Sequence, residues 1–277
     1  MSYLSAIILG IVQGVAEFLP ISSSGHLAIF QRFFGLANAE ETNLFFDVLL
    51  HLGTLVAVFV AYRHEIGTLL SEFFEMIHLK KVPAGKKPDY PSRRMILMLV
   101  IATLPLFLVL PVKDKVESLY SNTFFIAGAL VVTGLLLFLA DRMGHGGKTE
   151  RNVTLLDAVC IGCAQAVAVV PGLSRSGTTI SAGLARGLER QFAVRFSFLM
   201  SIPAVLGANI LSLVDAAKAG IDWSLAPVYL VGVLVAAVSG YASIRLLKFI
   251  AERRSFGGFA YYCWGAGLVT LILSLVA

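Results

Sequence analysis

Long apolar runs constrain the fold of this 277-residue chain more than any other feature. Apolar residues make up 57% of the sequence and charged residues 14%, which excludes an ordinary soluble domain. Six runs are long enough to cross a hydrocarbon layer about 30 Å thick. They cover residues 43–62, 95–111, 123–140, 196–214, 227–247 and 257–277. The sequence therefore predicts an all-α polytopic membrane protein with about six transmembrane helices.

Two shorter segments resemble each other. Residues 6–25, AIILGIVQGVAEFLPISSSG, match residues 158–177, AVCIGCAQAVAVVPGLSRSG, at eight of twenty positions. Each segment is apolar, is broken by a proline (Pro20 or Pro171) and continues with hydroxyl residues. This pattern is typical of a re-entrant helical hairpin. The sequence therefore predicts two such hairpins in addition to the crossings.

Each hairpin would be followed by three crossings, which gives two repeats of opposite topology. Residues 1–277 are then one membrane domain, with repeats over about 1–140 and 153–277. The distribution of Lys and Arg tests this inverted-topology repeat, because cytoplasmic loops are enriched in them. Four segments assigned to the cytoplasm hold 17 of the 22 basic residues: 63–94, 141–151, 185–195 and 245–254. Both termini are predicted to lie outside.

The basic segment 63–94 is predicted to contact the headgroups of anionic membrane lipids. Nucleic acid is not an expected partner, because no soluble module surrounds this segment.

Two charged residues remain in apolar surroundings. Arg175 lies in PGLSRSGTT, residues 171–179, and Glu17 lies near the tip of the first hairpin. A charge at the bilayer centre costs about 2.5–3.5 kcal/mol on insertion scales, so both are candidates for a functional site. The alternative is an ion pair that only joins the hairpins. The many neighbouring hydroxyl groups favour a binding site, because a structural pair needs few donors.

The second hairpin has the parts of a phosphate cradle. After Pro171 and Gly172 the chain can restart a helix with Ser174 as its N-cap, which leaves N–H groups free for an anion. Arg175 adds a planar fork that suits phosphate oxygens. Further hydroxyl donors for the substrate are Ser176, Thr178 and Thr179.

The first hairpin supplies groups for catalysis. Glu17 is followed by His26 and by the hydroxyls of Ser22, Ser23 and Ser24. A carboxylate, an imidazole and hydroxyls beside a phosphate cradle are what nucleophilic attack and proton transfer require.

These motifs resemble those of a known family. Two motifs are similar to the signatures of the undecaprenyl-pyrophosphate phosphatases of the bacitracin-resistance type. The first is Gln13-x-x-x-Glu17 with the following P-x-S-S-x-G-H, and the second is P-G-x-S-R-S-x-x-T at 171–179. The resemblance covers essentially the whole chain. It implies a bacterial inner-membrane enzyme that removes the terminal phosphate of the polyprenyl pyrophosphate lipid carrier for peptidoglycan synthesis, at a site open to the periplasm. It also implies a divalent cation, Mg²⁺ or Ca²⁺, for which Glu17 is the one candidate ligand.

The resemblance carries over to single positions. Seven residues occupy the family's functional positions: Glu17, Ser22, Ser23, His26, Ser174, Arg175 and Thr179. The family often has glutamate where this chain has Gln13, and glutamine cannot act as a base. Either Glu17 carries that role alone, or Gln13 only orients the substrate or a metal-bound water.

Our mechanistic hypothesis is that Ser23 attacks the terminal phosphorus while His26 and Glu17 handle its proton. Arg175, with Ser174 and Thr179, would stabilise the phosphoryl oxygens. The rival assignment makes His26 the nucleophile.

Other interpretations stay open. Inverted repeats also build secondary transporters, so the alternative function is a transporter or flippase of a phosphorylated lipid or anion. His26 and the serines favour the enzyme, because transport needs no nucleophile. Five glycines permit close contacts inside the bundle or in a homodimer: Gly207, Gly232, Gly240, Gly265 and Gly267.

Two polar features of the helices have simpler interpretations. Asp47 and His51, one helical turn apart, can reach the site, but a polar pair within the bundle is the favoured interpretation. Asp157 is predicted to be an N-terminal helix charge.

Overall fold

The computed structural model describes residues 1–33, 40–77, 89–143, 146–219, 222–253 and 255–276. The helices are α1 (Tyr3–Phe18), α2 (Ser23–Phe33), α3 (Glu40–Ala61), α4 (Arg63–Met76), α5 (Tyr90–Thr103), α6 (Lys113–Glu117), α7 (Thr123–Arg142), α8 (Leu155–Val167), α9 (Arg175–Ala185), α10 (Arg190–Ala219), α11 (Ala226–Arg253) and α12 (Gly257–Val276). No β-strand forms in the described ranges, so the all-α prediction is confirmed. The lysine-rich part of segment 63–94 lies outside these ranges.

Five of the described helical segments are long and apolar enough to cross a membrane. They are Tyr90–Ser121, Thr123–Arg142, Arg190–Val214, Trp223–Glu252 and Gly257–Val276. The pair α3 and α4 adds a sixth if it is one span, although it is bent by 84°. By length and composition, the described residues thus contain five or six membrane-capable helices, in agreement with the prediction of about six.

The bend between α3 and α4 lies at Tyr62 and was not predicted. The Nζ atom of Lys248 lies 3.6 Å from the centroid of the buried Tyr62 ring. The same Nζ is 3.5 Å from the carbonyl oxygen of Ala61, which ends α3. The ammonium group of Lys248 therefore stabilises the position of the Tyr62 ring and the carbonyl end of α3.

Each of the two similar segments forms two short helices with a break between them. The break in the first segment contains Pro20 and Ser22, and Ser22 has a φ of 74°. The break in the second contains Pro171 and Gly172, and Gly172 has a φ of 86°. Proline and left-handed residues end a helix. The leading helices α1 and α8 have 16 and 13 residues, or about 24 and 20 Å, too short to cross alone.

These leading helices pack closely on two of the long helices. α1 lies along α11, and α8 lies along α5. A Cβ atom added at Gly14 of α1 would lie 2.6 Å from the carbonyl oxygen of Ala236. One added at Gly162 of α8 would lie 2.4 Å from that of Ala102. Only glycine permits these backbones to approach so closely.

The five glycines predicted to permit close contacts divide into two groups. A Cβ at Gly232, Gly240 or Gly267 would meet Phe46, Phe18 or the Ala127 carbonyl oxygen, so these three lie in internal seams. A Cβ at Gly207 or Gly265 would meet nothing within 4 Å.

An ionic cluster lies at the start of α8. Asp157 is fully buried and forms a capping box with Thr154, which confirms it as an N-terminal helix charge. Its carboxylate also binds Lys148 at 2.8 Å and Arg186 at 2.8 Å. Burial alone would raise the pKa of Asp157, but the hydrogen bonds from Lys148, Thr154 and Arg186 hold this pKa at about 2. The cluster fastens α8 to the end of α9.

Candidate active site

The tips of the two broken segments contact each other directly. The backbone N–H of Gly172 donates to Ser24 Oγ at 3.3 Å. In the other direction, Ser176 Oγ donates to the carbonyl oxygen of Leu19 at 3.4 Å. Residues that are about 150 positions apart in the chain thus form one polar cluster.

Ser174 is the N-cap of α9, as the sequence predicted. Its Oγ accepts a hydrogen bond from the N–H of Gly177 at 3.0 Å. The cap satisfies one of the orphan donors of the first turn and leaves the N–H groups of Arg175 and Ser176 without an intrahelical acceptor. Free N–H groups at the positive end of a helix are suited to an anion.

Thr133 of α7 holds this cap in place. Its buried Oγ1 accepts from the N–H of Ser174 at 3.0 Å and donates to the carbonyl oxygen of Gly172 at 3.4 Å. The hydroxyl therefore ties the last residues of the break, Gly172 and Ser174, to α7. Sequence reasoning missed Thr133, because a threonine in an apolar helix has no local signal of its partner.

Glu17 is the centre of the cluster. Its Oε1 accepts a hydrogen bond from Arg175 Nη2 at 2.5 Å. Its Oε2 accepts one from Ser23 Oγ at 2.5 Å and one from Gln13 Nε2 at 3.2 Å. The structure thus brings together four of the predicted site residues. Gln13 acts here as a donor that orients the carboxylate.

The cluster is open on the side of Arg175 and Ser23. Glu17 is buried, whereas the Arg175 side chain keeps 21% of its exposure and Ser23 is half-buried. A ligand can therefore approach the hydroxyl and the guanidinium while the carboxylate stays shielded.

His26 has partners other than Ser23 and Glu17. Its Nδ1 lies 2.7 Å from the carbonyl oxygen of Ser22, and its Nε2 lies 2.8 Å from the hydroxyl of Tyr262. Because a carbonyl only accepts, Nδ1 carries the hydrogen, and in the neutral ring Nε2 then accepts from Tyr262. Both ring nitrogens are engaged, and Tyr262 was not anticipated from the sequence.

The remaining predicted residues differ in their surroundings. Ser22 Oγ accepts from the N–H of Gly25 at 3.2 Å. Thr179 Oγ1 donates to the carbonyl oxygen of Arg175 at 2.8 Å and lies 2.6 Å from Ser197 Oγ, so it braces α9 against α10. Thr178 Oγ1 is buried without a hydrogen-bond partner.

His51 lies at the site. Its Nε2 is 3.9 Å from Glu17 Oε2, and its Nδ1 is 2.7 Å from the carbonyl oxygen of Asp47. The Asp47 carboxylate accepts hydrogen bonds from Gln31. The favoured interpretation of Asp47 and His51 as a pair within the bundle is therefore wrong for His51. Its sequence signals were a histidine in an apolar run and the spacing of one helical turn from Asp47.

The donor set does not fit a resident divalent cation. Over the described residues, no three His, Cys, Asp or Glu side chains are grouped to hold a metal ion. Ca²⁺ takes six to eight oxygen ligands, and Mg²⁺ held without substrate phosphates relies on carboxylates and waters. Glu17 is the one candidate carboxylate, and both of its oxygens already accept hydrogen bonds.

A serine hydroxyl bonded to a buried carboxylate, inside a helical multi-pass membrane protein, gives this chain the groups of a membrane enzyme. Residues 6–269 match the family model described as bacitracin resistance protein BacA, so the chain belongs to that family.

Similar proteins are named undecaprenyl-diphosphatase. One from Methanosphaera stadtmanae is 41% identical over 100% of this chain and 99% of its own length. One from Syntrophotalea carbinolica is 43% identical over 96% of this chain and 97% of its own length. A third, from Alkaliphilus metalliredigens, is 38% identical over the full length of both chains.

Proposed function

We propose that this protein hydrolyses undecaprenyl pyrophosphate to undecaprenyl phosphate and inorganic phosphate, which recycles the lipid carrier for cell-wall synthesis. Family membership and the names of the relatives support this activity. The observation that carries the proposal is the contact of Ser23 with Glu17, which also binds Arg175. A nucleophile, its base and a phosphate ligand thus meet in one cluster.

In the first half-reaction, Ser23 Oγ attacks the terminal phosphorus and transfers its proton to Glu17 Oε2. The bond from phosphorus to the bridging oxygen breaks, and undecaprenyl phosphate leaves. The 2.5 Å distance from Ser23 Oγ to the carboxylate suits this transfer. The leaving group is a phosphate anion of low basicity and needs no proton from the protein.

Arg175 stabilises the phosphoryl group. A guanidinium has five N–H donors, and Glu17 engages one of its nitrogens. The remaining donors, together with the free N–H groups at the start of α9, can bind phosphoryl oxygens as charge develops. An ion pair and a phosphate site are therefore compatible here.

The two repeats have an inverted topology in this proposal. Gly10 and Gly162 are equivalent in the two segments; a Cβ on the first would lie 2.7 Å from a carbonyl oxygen of α11, and one on the second 2.4 Å from one of α5. α5 and α11 are the second crossings of their repeats. Each re-entrant hairpin thus packs on the corresponding helix of the other repeat, which supports a pseudo-two-fold relation.

We place the protein in the bacterial inner membrane, with both termini outside and the site open to the periplasm. The charge bias of the loops supports this orientation. The Asp157 cluster would then lie at the cytoplasmic mouth of the second hairpin. A transporter would have to open this mouth and break the pairs of Asp157 with Lys148 and Arg186, which favours the enzyme.

The divalent cation that the family resemblance implies would be held mainly by the pyrophosphate oxygens, with Glu17 as the protein carboxylate in the cluster, and would neutralise phosphate charge there. Mg²⁺ commonly binds through substrate phosphates with one or two carboxylates. Pyrophosphate supplies the oxygens that the protein lacks. The homodimer stays a prediction. Its interface would include the surface at Gly207 and Gly265, where an added Cβ atom would meet nothing within 4 Å.

The activity is tested by phosphate release from a long-chain polyprenyl pyrophosphate in detergent, with and without chelator. Ser23→Ala and Arg175→Ala should each reduce kcat/KM by at least about 10²-fold. The exposed Arg151 and Ser224 supply matched controls, Arg151→Ala and Ser224→Ala, which should leave turnover unchanged. If the wild-type protein binds the lipid but releases no phosphate with any cation, transport becomes the better account.

Acid quenching identifies the nucleophile. Phosphoserine survives acid, whereas phosphohistidine does not. With substrate labelled in its terminal phosphate, acid-stable label on Ser23 supports the proposed mechanism. Acid-labile label on His26 would assign attack to the imidazole.

A further inference from the structure

His51 presents an unused ring nitrogen to the site. The carbonyl oxygen of Asp47 can only accept, so His51 Nδ1, at 2.7 Å, carries the hydrogen. In the neutral ring, Nε2 then carries a lone pair, and this atom lies 3.9 Å from Glu17 Oε2. The side chain keeps 32% of its exposure, so water reaches it.

The second half-reaction needs another proton acceptor. This step rests on the proposed function, in which Ser23 carries the phosphoryl group and Glu17 holds the serine proton. A water oxygen bonds to phosphorus, the bond from phosphorus to Ser23 Oγ breaks, and Glu17 returns the proton to that Oγ. Because Glu17 holds this proton until the serine leaves, it cannot also take the proton of the attacking water.

The described neighbours of Glu17 leave one suitable group. Gln13 is an amide and has no basic nitrogen. His26 has its Nδ1 on a carbonyl oxygen and its Nε2 lone pair on Tyr262. The Asp47 carboxylate is directed to Gln31. Among these neighbours, His51 Nε2 remains as a proton acceptor beside Glu17, the hydrogen-bond partner of Ser23.

The spacing suits a bridging water. A separation of 3.9 Å is too long for a direct hydrogen bond between Nε2 and Oε2. One water molecule can lie within about 2.8 Å of both atoms. We propose that His51 is the general base of the second half-reaction and holds the attacking water against the carboxyl group of Glu17. The water proton passes to Nε2 and then to solvent, and inorganic phosphate leaves.

Loss of His51 should stop the reaction at the phosphoenzyme. Purified full-length His51→Ala is compared with wild type on substrate labelled in the terminal phosphate. We expect kcat to fall about 10²–10⁴-fold and KM to fall with it, so that kcat/KM changes little, because only the second half-reaction is slowed. Acid-stable phosphoserine should accumulate after a burst of one lipid monophosphate per enzyme. Imidazole in the buffer should restore part of the turnover, because it can replace the missing base.

Two further variants sharpen the test. His51→Gln keeps a polar side chain of similar length but no basic nitrogen, so it should fold and show the same block. His64→Ala is the matched control, because His64 is exposed on α4 and should show neither the block nor an imidazole effect.

The outcomes separate this inference from the proposed function. Wild-type kcat in both His51 variants, or slow turnover without accumulated phosphoserine, would overturn the role of His51 and leave the phosphatase intact. Normal phosphate release by Ser23→Ala, or none by wild type, would instead refute the mechanism on which the inference rests.

Discussion

Gly14→Ala tests whether close packing of α1 on α11 positions the catalytic carboxylate. The new Cβ would lie 2.6 Å from the Ala236 carbonyl oxygen and 2.7 Å from the Gly240 nitrogen. Ordinary contact begins near 3.4 Å, so α1 must move away by roughly 1 Å. Overpacking of this kind costs about 1–3 kcal/mol. A shift of about 1 Å in a helix that carries Glu17 can lower turnover about 10²-fold.

Thermal unfolding in detergent and phosphate release measure the two effects. Gly128→Ala in α7 is the matched control, because its Cβ would meet nothing within 4 Å. It should keep full activity and gain up to about 1 kcal/mol from the higher helix propensity of alanine. Equal unfolding midpoints and equal turnover for the two variants would refute the reasoning. Gly14→Ala combined with Ser239→Ala should remain impaired, since only the hydroxyl contact at 2.0 Å is relieved.

Three further predictions concern single side chains. Thr133→Val leaves the N–H of Ser174 buried without its acceptor, so the unfolding free energy should fall by about 1–3 kcal/mol and kcat/KM should fall with it. Thr133→Ser should retain both the stability and the activity. Thermal unfolding and phosphate release measure the two effects. Tyr262→Phe frees Nε2 of His26 and should lower kcat/KM by roughly tenfold or less; a rise in activity would instead support attack by His26. Asp157→Asn removes the carboxylate that pairs with Lys148 and Arg186, whose side chains are 32% and 34% exposed, and should cost about 1–3 kcal/mol in unfolding free energy. The pKa of Asp157 is lowered from 3.8 to about 2, so its stabilisation of the wild-type fold is complete above pH 3.8 and is lost as pH falls through 2. Unfolding curves of the Asn variant should not show this loss of stability in acid.

The sequence predicted the features that depend on local chemistry. Proline breaks each short segment, and Ser174 caps the helix that follows, because both effects act within a few residues. The cost of charge in a membrane identified Glu17 and Arg175 without any knowledge of their contact.

The missed features depend on tertiary packing. Tyr262 meets His26 across 236 positions, and Thr133 meets Ser174 across 41. No proline or glycine lies at the 84° bend at Tyr62, so the local sequence does not predict it. The cation that contacts the Tyr62 ring belongs to Lys248, which is distant in the chain. Contacts between helices carry no periodic signal in either partner, so only the packed bundle reveals them.

The bond between Glu17 and Arg175 has a consequence for the order of biosynthesis. The two residues are 158 positions apart, so ribosomes working at about 5–20 residues per second separate their synthesis by roughly 8–30 s. During that interval Glu17 has no cation to offset its charge in lipid. We expect the first hairpin to wait at the membrane surface and to dock only after the second half of the chain has been inserted. The catalytic pair would then complete the assembly of the bundle as well as carry out its chemistry.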